Sequence, residues 1–236
     1  MEASMKNYRF LFYAVFLLTA LVACQSSAPP YISVFNVNEL FRDKRFELVF
    51  ATDFSDKRLD QFRVWQADAF HFSDGALVVE NNGLESWPNI YRAEVFRPGS
   101  LVVLRFSASG DAKATFEITR NRKGWENGSE FDVERYTIIQ NLSMDICLKR
   151  EGSLTTHQMA WHSRSIRNAL DREYLAAFHF DREGIIHAYL IDYQGEGESN
   201  HFWEQQTDLS MPWDVYTACG NGKMRILEYM EYREID

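Results

Sequence analysis

Residues 101–108 alternate: Val102, Leu104, Phe106 and Ala108 fall on one face of an extended chain, Arg105 and Ser107 on the other. That period of two recurs in short segments from Phe46 onward and limits the fold more than any other feature. Strands are expected over 46–51, 62–65, 69–72, 76–80, 91–96, 112–119, 130–139, 144–149, 174–180, 185–193 and 223–232. Turn residues separate them. Asp74-Gly75 is a strong hairpin signal, and Asn81-Asn82-Gly83, Pro98-Gly99, Ser109-Gly110-Asp111 and Gly220-Asn221-Gly222 are further breaks. Helical readings are confined to a short stretch over 35–45, with Leu40 and Phe41 inward, and one turn within 163–170. The long helices that alternate with strands in an α/β protein are missing. The expectation is an all-β domain over 46–236, a sandwich of two antiparallel sheets.

The N-terminus reads differently. Lys6 and Arg9 precede an uncharged apolar run from Phe10 to Ala23, shorter than the roughly 20 residues a membrane-spanning helix needs. A basic start, an apolar middle and small residues before a cut define a secretory signal. Leu21-Val22-Ala23-Cys24 resembles the lipobox of bacterial lipoproteins, which implies that Cys24 is acylated and becomes the mature N-terminus. Residues 1–23 are then the signal peptide. Residues 24–45 are the lipidated cysteine, a Gln-Ser-Ser-Ala-Pro-Pro tether and an N-terminal extension. The expected location is the cell membrane or outer membrane, facing away from the cytoplasm. Gln25, in place of an aspartate, suits the outer membrane.

Charge narrows the partners. With 25 basic against 34 acidic residues the net charge is −9, and such a surface repels phosphate backbones, so nucleic acid is not an expected partner. Aromatic residues make up 15% of the chain, which suits a β-rich core or a stacking surface. Besides Cys24 there are Cys147 and Cys219. In an exported protein they could form a disulfide or remain two buried thiols. Their spacing supports neither zinc nor redox chemistry, and the histidines at 71, 157, 162, 179, 187 and 201 show no zinc-site pattern. No metal or other cofactor is expected; Asp53 and Asp236 alone offer too few oxygens for calcium.

Asp53-Phe-Ser-Asp56, a short segment ending at Trp65, and then Phe72-Ser-Asp-Gly-Ala-Leu-Val-Val79 resemble the opening of concanavalin A-like domains, the laminin G-like and lectin/glucanase group. Residues 224–232 fit the returning last strand of that group. The resemblance is one of strand order and turn placement, and it implies a jelly roll with one sheet curved into a shallow groove. Such folds host lectins, adhesion modules, glycosidases and spacers.

Glu130-Phe-Asp-Val-Glu134 sets carboxylates at i, i+2 and i+4, on one face of a strand, with Phe131 and Val133 on the other. About 13 Å of backbone separates the two glutamates. Side chains leaning together could approach the roughly 5 Å of a retaining glycosidase, and Asp132 would raise a neighbour's pKa by repulsion. The motif resembles the Glu-x-Asp-x-Glu strand of glycoside hydrolase family sixteen. On that resemblance Glu130 is the nucleophile, Asp132 its assistant and Glu134 the acid/base. Phe131 and Arg135 depart from the pattern, and the tryptophan-rich approach is reduced to Trp125. A solvated strand face explains the same charges.

Sugars stack their apolar faces on aromatic rings, and Trp87, Tyr91 and Trp125 are the candidate ligand-binding residues. The resulting expectation is a lipid-anchored envelope protein that binds carbohydrate or another envelope ligand without catalysis. A retaining β-glucanase and a structural or protein-interaction module are the alternatives.

Overall fold

The computed structural model describes residues 37, 41, 43–84, 86–109, 112–120, 134–140, 145–152, 155–167, 173–192, 199–206 and 212–236. The signal segment, Cys24, Trp125, Glu130 and Asp132 lie outside them.

Fifteen strands are formed among the described residues. The first seven are β1 (Arg45–Thr52), β2 (Arg63–Trp65), β3 (Phe70–Ser73), β4 (Ala76–Asn81), β5 (Asn89–Phe96), β6 (Ser100–Ala108) and β7 (Ala114–Arg120). Then come β8 (Glu134–Gln140), β9 (Asp145–Gly152), β10 (Thr155–Arg167) and β11 (Tyr174–Phe180). The last four are β12 (Ile185–Asp192), β13 (Ser199–Gln206), β14 (Trp213–Cys219) and β15 (Gly222–Ile235). One sheet has eight strands in the order β13-β12-β11-β6-β15-β4-β3, with β1 also paired to β15. The other has seven, in the order β10-β9-β8-β7-β14-β5-β2. Both are antiparallel throughout. The protein is an all-β jelly-roll sandwich.

The alternation of β6 accounts for the core. Val102, Leu104, Phe106 and Ala108 point between the sheets, as do Leu77 and Val79 of β4 and Ala176, Phe178 and Phe180 of β11. From the seven-stranded sheet come Ile90 and Phe96 of β5, Phe116 and Ile118 of β7, and Trp213 and Val215 of β14. Rings meet across the layer: Phe116 lies 5.5 Å from Phe178, and Phe96 lies 5.6 Å from Phe180, centroid to centroid. The Asp74-Gly75 hairpin joins β3 to β4 with Ser73 opposite Ala76. Both loop residues have positive φ, 49° and 69°, which a two-residue turn matching strand twist requires.

Two expectations are corrected. Residues 163–167 continue β10 instead of turning into a helix. The Cys147–Cys219 disulfide is not made. Cys147 is on β9 and Cys219 on β14, with β8 and β7 between them. Three strand spacings are about 14 Å, twice the ~7 Å over which two Cα atoms can be bridged. The Cys219 thiol donates instead to the Asn221 carbonyl at 3.2 Å. The helical expectation over 35–45 has support where it is described: the Phe41 amide donates to the Val37 carbonyl at 3.0 Å, and Phe41 is buried.

Candidate functional site

Because Phe116 and Ile118 face the core, Thr115, Glu117 and Thr119 must belong to the outer face of the seven-stranded sheet. Pairing carries that face across neighbouring strands. Arg63, Tyr91, Tyr216, Glu117, Thr137 and Lys149 form one row, strand by strand. Trp65, Asn89, Ala218 and Thr115 form the adjacent row. Tyr91 and Tyr216 have ring centroids 6.4 Å apart, and the Arg63 guanidinium lies 5.7 Å from the Tyr91 centroid and donates to its hydroxyl at 3.4 Å.

Burial divides the face. Thr115, Glu117, Thr119 and Tyr216 are buried, whereas Arg63 is exposed, Tyr91 half-buried and Trp65 58% exposed. Among the described side chains of this face, the accessible ones are at the β2–β5 edge, with an indole, a phenol and a guanidinium side by side. A flat apolar ring flanked by hydrogen-bonding groups is the surface that grips a sugar ring.

The residues expected from the sequence meet different fates. Tyr91 is on this face. Trp87, just before β5, is half-buried: a Cβ added at Gly220 would come within 2.3 Å of its Cε2, and the Lys113 ammonium sits 4.7 Å from the ring centroid. It packs against backbone instead of standing open. Glu134 opens β8 opposite Arg120, while Arg135, Thr137 and Ile139 are the β8 residues opposite Thr119, Glu117 and Thr115. Trp65, Arg63 and Tyr216 were not singled out by sequence. The signal that could have found Trp65 is its place at the end of a three-residue edge strand, just before a turn.

On the outer face of the eight-stranded sheet, Phe41 caps a second cluster. Its ring lies 5.2 Å from His179 and 5.1 Å from Tyr189. His179 and His187, opposed across β11 and β12, stack at 5.4 Å. His187 contacts the Asp181 carboxylate at 3.0 Å; His179 and Lys44 each meet Glu234 at 3.3 Å. Burial first, then the charges of Lys44 and His187, pushes His179 down from 6.5 to about 4. These side chains hold the N-terminal extension to the sheet.

A cleft of about 390 Å³ beside the β1–β2 connection is lined by Phe50, Thr52, Asp56, Arg58, Asp60 and Phe62, among others. Its polar groups already bond one another, Arg58 to Asp60 and the Arg58 amide to Asp56.

No protein-family profile matches the sequence, and no curated protein matches it. Solved structures do resemble the fold. The laminarinase catalytic domain of Thermotoga maritima superposes with a TM-score of 0.59 at 11% identity, over 81% of this chain and 99% of that one. The Bacillus licheniformis beta-glucanase gives 0.57 at 9% identity, over 79% and 98%. The exoplasmic/lumenal domain of VIP36, in its Ca2+/Man3GlcNAc-bound form, gives 0.52 at 12%, over 74% and 84%. The fold is thus the concanavalin A-like sandwich of glucanases and lectins; at these identities the likeness extends to the fold alone.

Proposed function

We propose that the protein is a lipid-anchored, extracytoplasmic carbohydrate-binding module that performs no chemistry, held to its membrane through Cys24. The observation that carries the binding role is the accessible β2–β5 edge, where Trp65 is exposed beside Tyr91 and Arg63. The lipobox-like Leu21–Cys24 stretch supports the anchor, and the fold shared with glucanases and with a Man3GlcNAc-bound domain supports the ligand class. A glycan array probed with the detergent-solubilised full chain tests the binding role: retention of at least one glycan is expected, and none by a folded sample overturns it. Palmitate labelling that disappears in Cys24→Ser tests the anchor.

A second reading, a protein-interaction module, is favoured by β1. Among the described strands it pairs with β15 alone, and it exposes Leu48 and Val49 by 43% and 52%. Such an edge can accept a strand from a partner. Crosslinking in envelopes that traps a partner at Val49 supports this reading, and a chain trapped with nothing contradicts it.

A further inference from the structure

The corner where β2 meets β5 contains a buried acceptor atom that no donor reaches. Asn89 is 5% exposed, and its Oδ1 has no hydrogen-bond partner. Its amide orientation is fixed from the other end, because Nδ2 donates to the Trp87 carbonyl at 3.0 Å. Exchanging the amide oxygen and nitrogen would set two acceptors against each other. Gln66, immediately after Trp65, has its Nε2 against the Ser86 hydroxyl and its Oε1 buried; a hydroxyl both donates and accepts, so this contact does not fix the Gln66 amide as the carbonyl fixes that of Asn89. Gln66 is also held at φ 57°, a left-handed conformation that residues other than glycine adopt rarely. Trp65 is the register partner of Asn89, so their Cβ atoms stand roughly 5 Å apart on the same face. Buried acceptors are seldom left without donors, and the unsatisfied Asn89 Oδ1 beside an exposed indole points to a ligand.

We infer that, given the carbohydrate-binding role proposed for the protein, this corner is a subsite for a neutral, hydroxyl-rich sugar ring. The ring's apolar face stacks on Trp65, one of its hydroxyls donates to Asn89 Oδ1, and another meets the Gln66 amide. Acceptors select for donors. A sugar hydroxyl supplies the missing hydrogen, whereas the carboxylate of a uronate or sialate has none at neutral pH and meets lone pairs with negative charge. The net charge of −9 acts in the same direction.

Three probes test the subsite with the full chain in detergent: the neutral glycan best retained on an array, its per-O-methylated derivative, and polygalacturonate. Methylation keeps the ring and its acceptors but removes every hydroxyl donor. The expected result is binding to the neutral glycan alone, weakened about tenfold or more by Trp65→Ala and roughly three- to tenfold by Asn89→Ser. Trp65 is exposed, so Trp65→Ala is expected to keep the parent's circular dichroism and melting temperature. Equal binding of the methylated or the uronate polymer overturns the subsite without any variant. So does unchanged affinity in folded Trp65→Ala, while the carbohydrate-binding role stands. Retention of no glycan at all by the folded parent removes that role and the subsite with it.

Discussion

Arg92 of β5 and Glu231 of β15 join the two sheets from inside the sandwich, through paired hydrogen bonds of 2.8 and 3.1 Å. The Tyr229 hydroxyl also donates to Glu231, at 2.9 Å, and the Arg92 guanidinium lies 4.1 Å from the Phe50 ring centroid. Burial alone would lower the pKa of Arg92, but the bonds and charge of Glu231 outweigh it and leave it raised. Burial drives the Tyr229 phenol well above its ordinary 10, and Glu231 adds to that. Removing one member strands the other. Glu231→Leu alone is expected to cost about 3–5 kcal/mol in urea denaturation. Arg92→Met added to Glu231→Leu should recover most of that loss, because the pair's desolvation disappears with both charges. A double variant no more stable than the single one would contradict this.

The His179 cluster gives the fold a pH dependence of defined sign. The unfolded histidine takes its proton near 6.5 and the folded one only near 4, so between these values the unfolded state binds more protons. Stability is therefore full above this window and falls as pH drops from 6.5 towards 4, by up to about 1.4 kcal/mol per pH unit. Asp181 adds the same sign lower down. Burial opposes the charged form, but the hydrogen bond from His187, the backbone amides of Ile185 and Glu183 and the charge of His187 together outweigh it and lower the pKa. Denaturation midpoints measured from pH 7 to 4 should show this slope, and His179→Leu should flatten it.

Gly220 lies against the ring of Trp87, and any side chain there must displace one of them. Gly220→Ala is expected to lose about 1–3 kcal/mol of stability by overpacking. Thermal denaturation beside Gly83→Ala, where a Cβ meets nothing within 4 Å, separates this clash from backbone strain, because Gly83 has φ +88° while Gly220 has no such strain.

Glu134 is expected to be silent in carbohydrate chemistry. Neither the parent nor Glu134→Gln should release reducing sugar from laminarin, and both should retain glycan equally. Turnover abolished by Glu134→Gln would reinstate the glycosidase.

Much of the fold was legible because most strands alternate or are flanked by turn residues. Residues 101–108 show their inward face directly, and Asp74-Gly75 dictates its own hairpin. Strand β14 was missed: Asp214 and Thr217 interrupt its apolar pattern, although Trp213, Val215 and Cys219 all face the core. The site was harder to read. Glu130 to Glu134 drew attention through spacing, yet which face a strand residue occupies depends on pairing with β7, and sequence spacing carries no register. Trp65 and Asn89 are 24 positions apart and meet only through the β2–β5 ladder. The two histidines at 179 and 187 have no metal-like spacing and become neighbours for the same reason.

Hydroxyl-radical footprinting of the full chain, with and without a retained glycan, tests the location of binding most directly. Trp65 and Tyr91 should oxidise more slowly when the glycan is bound, while Phe46 and Leu48 on the opposite sheet oxidise as before. A glycan that is retained yet leaves Trp65 and Tyr91 oxidising at their original rate would show that the β2–β5 edge is not where it binds.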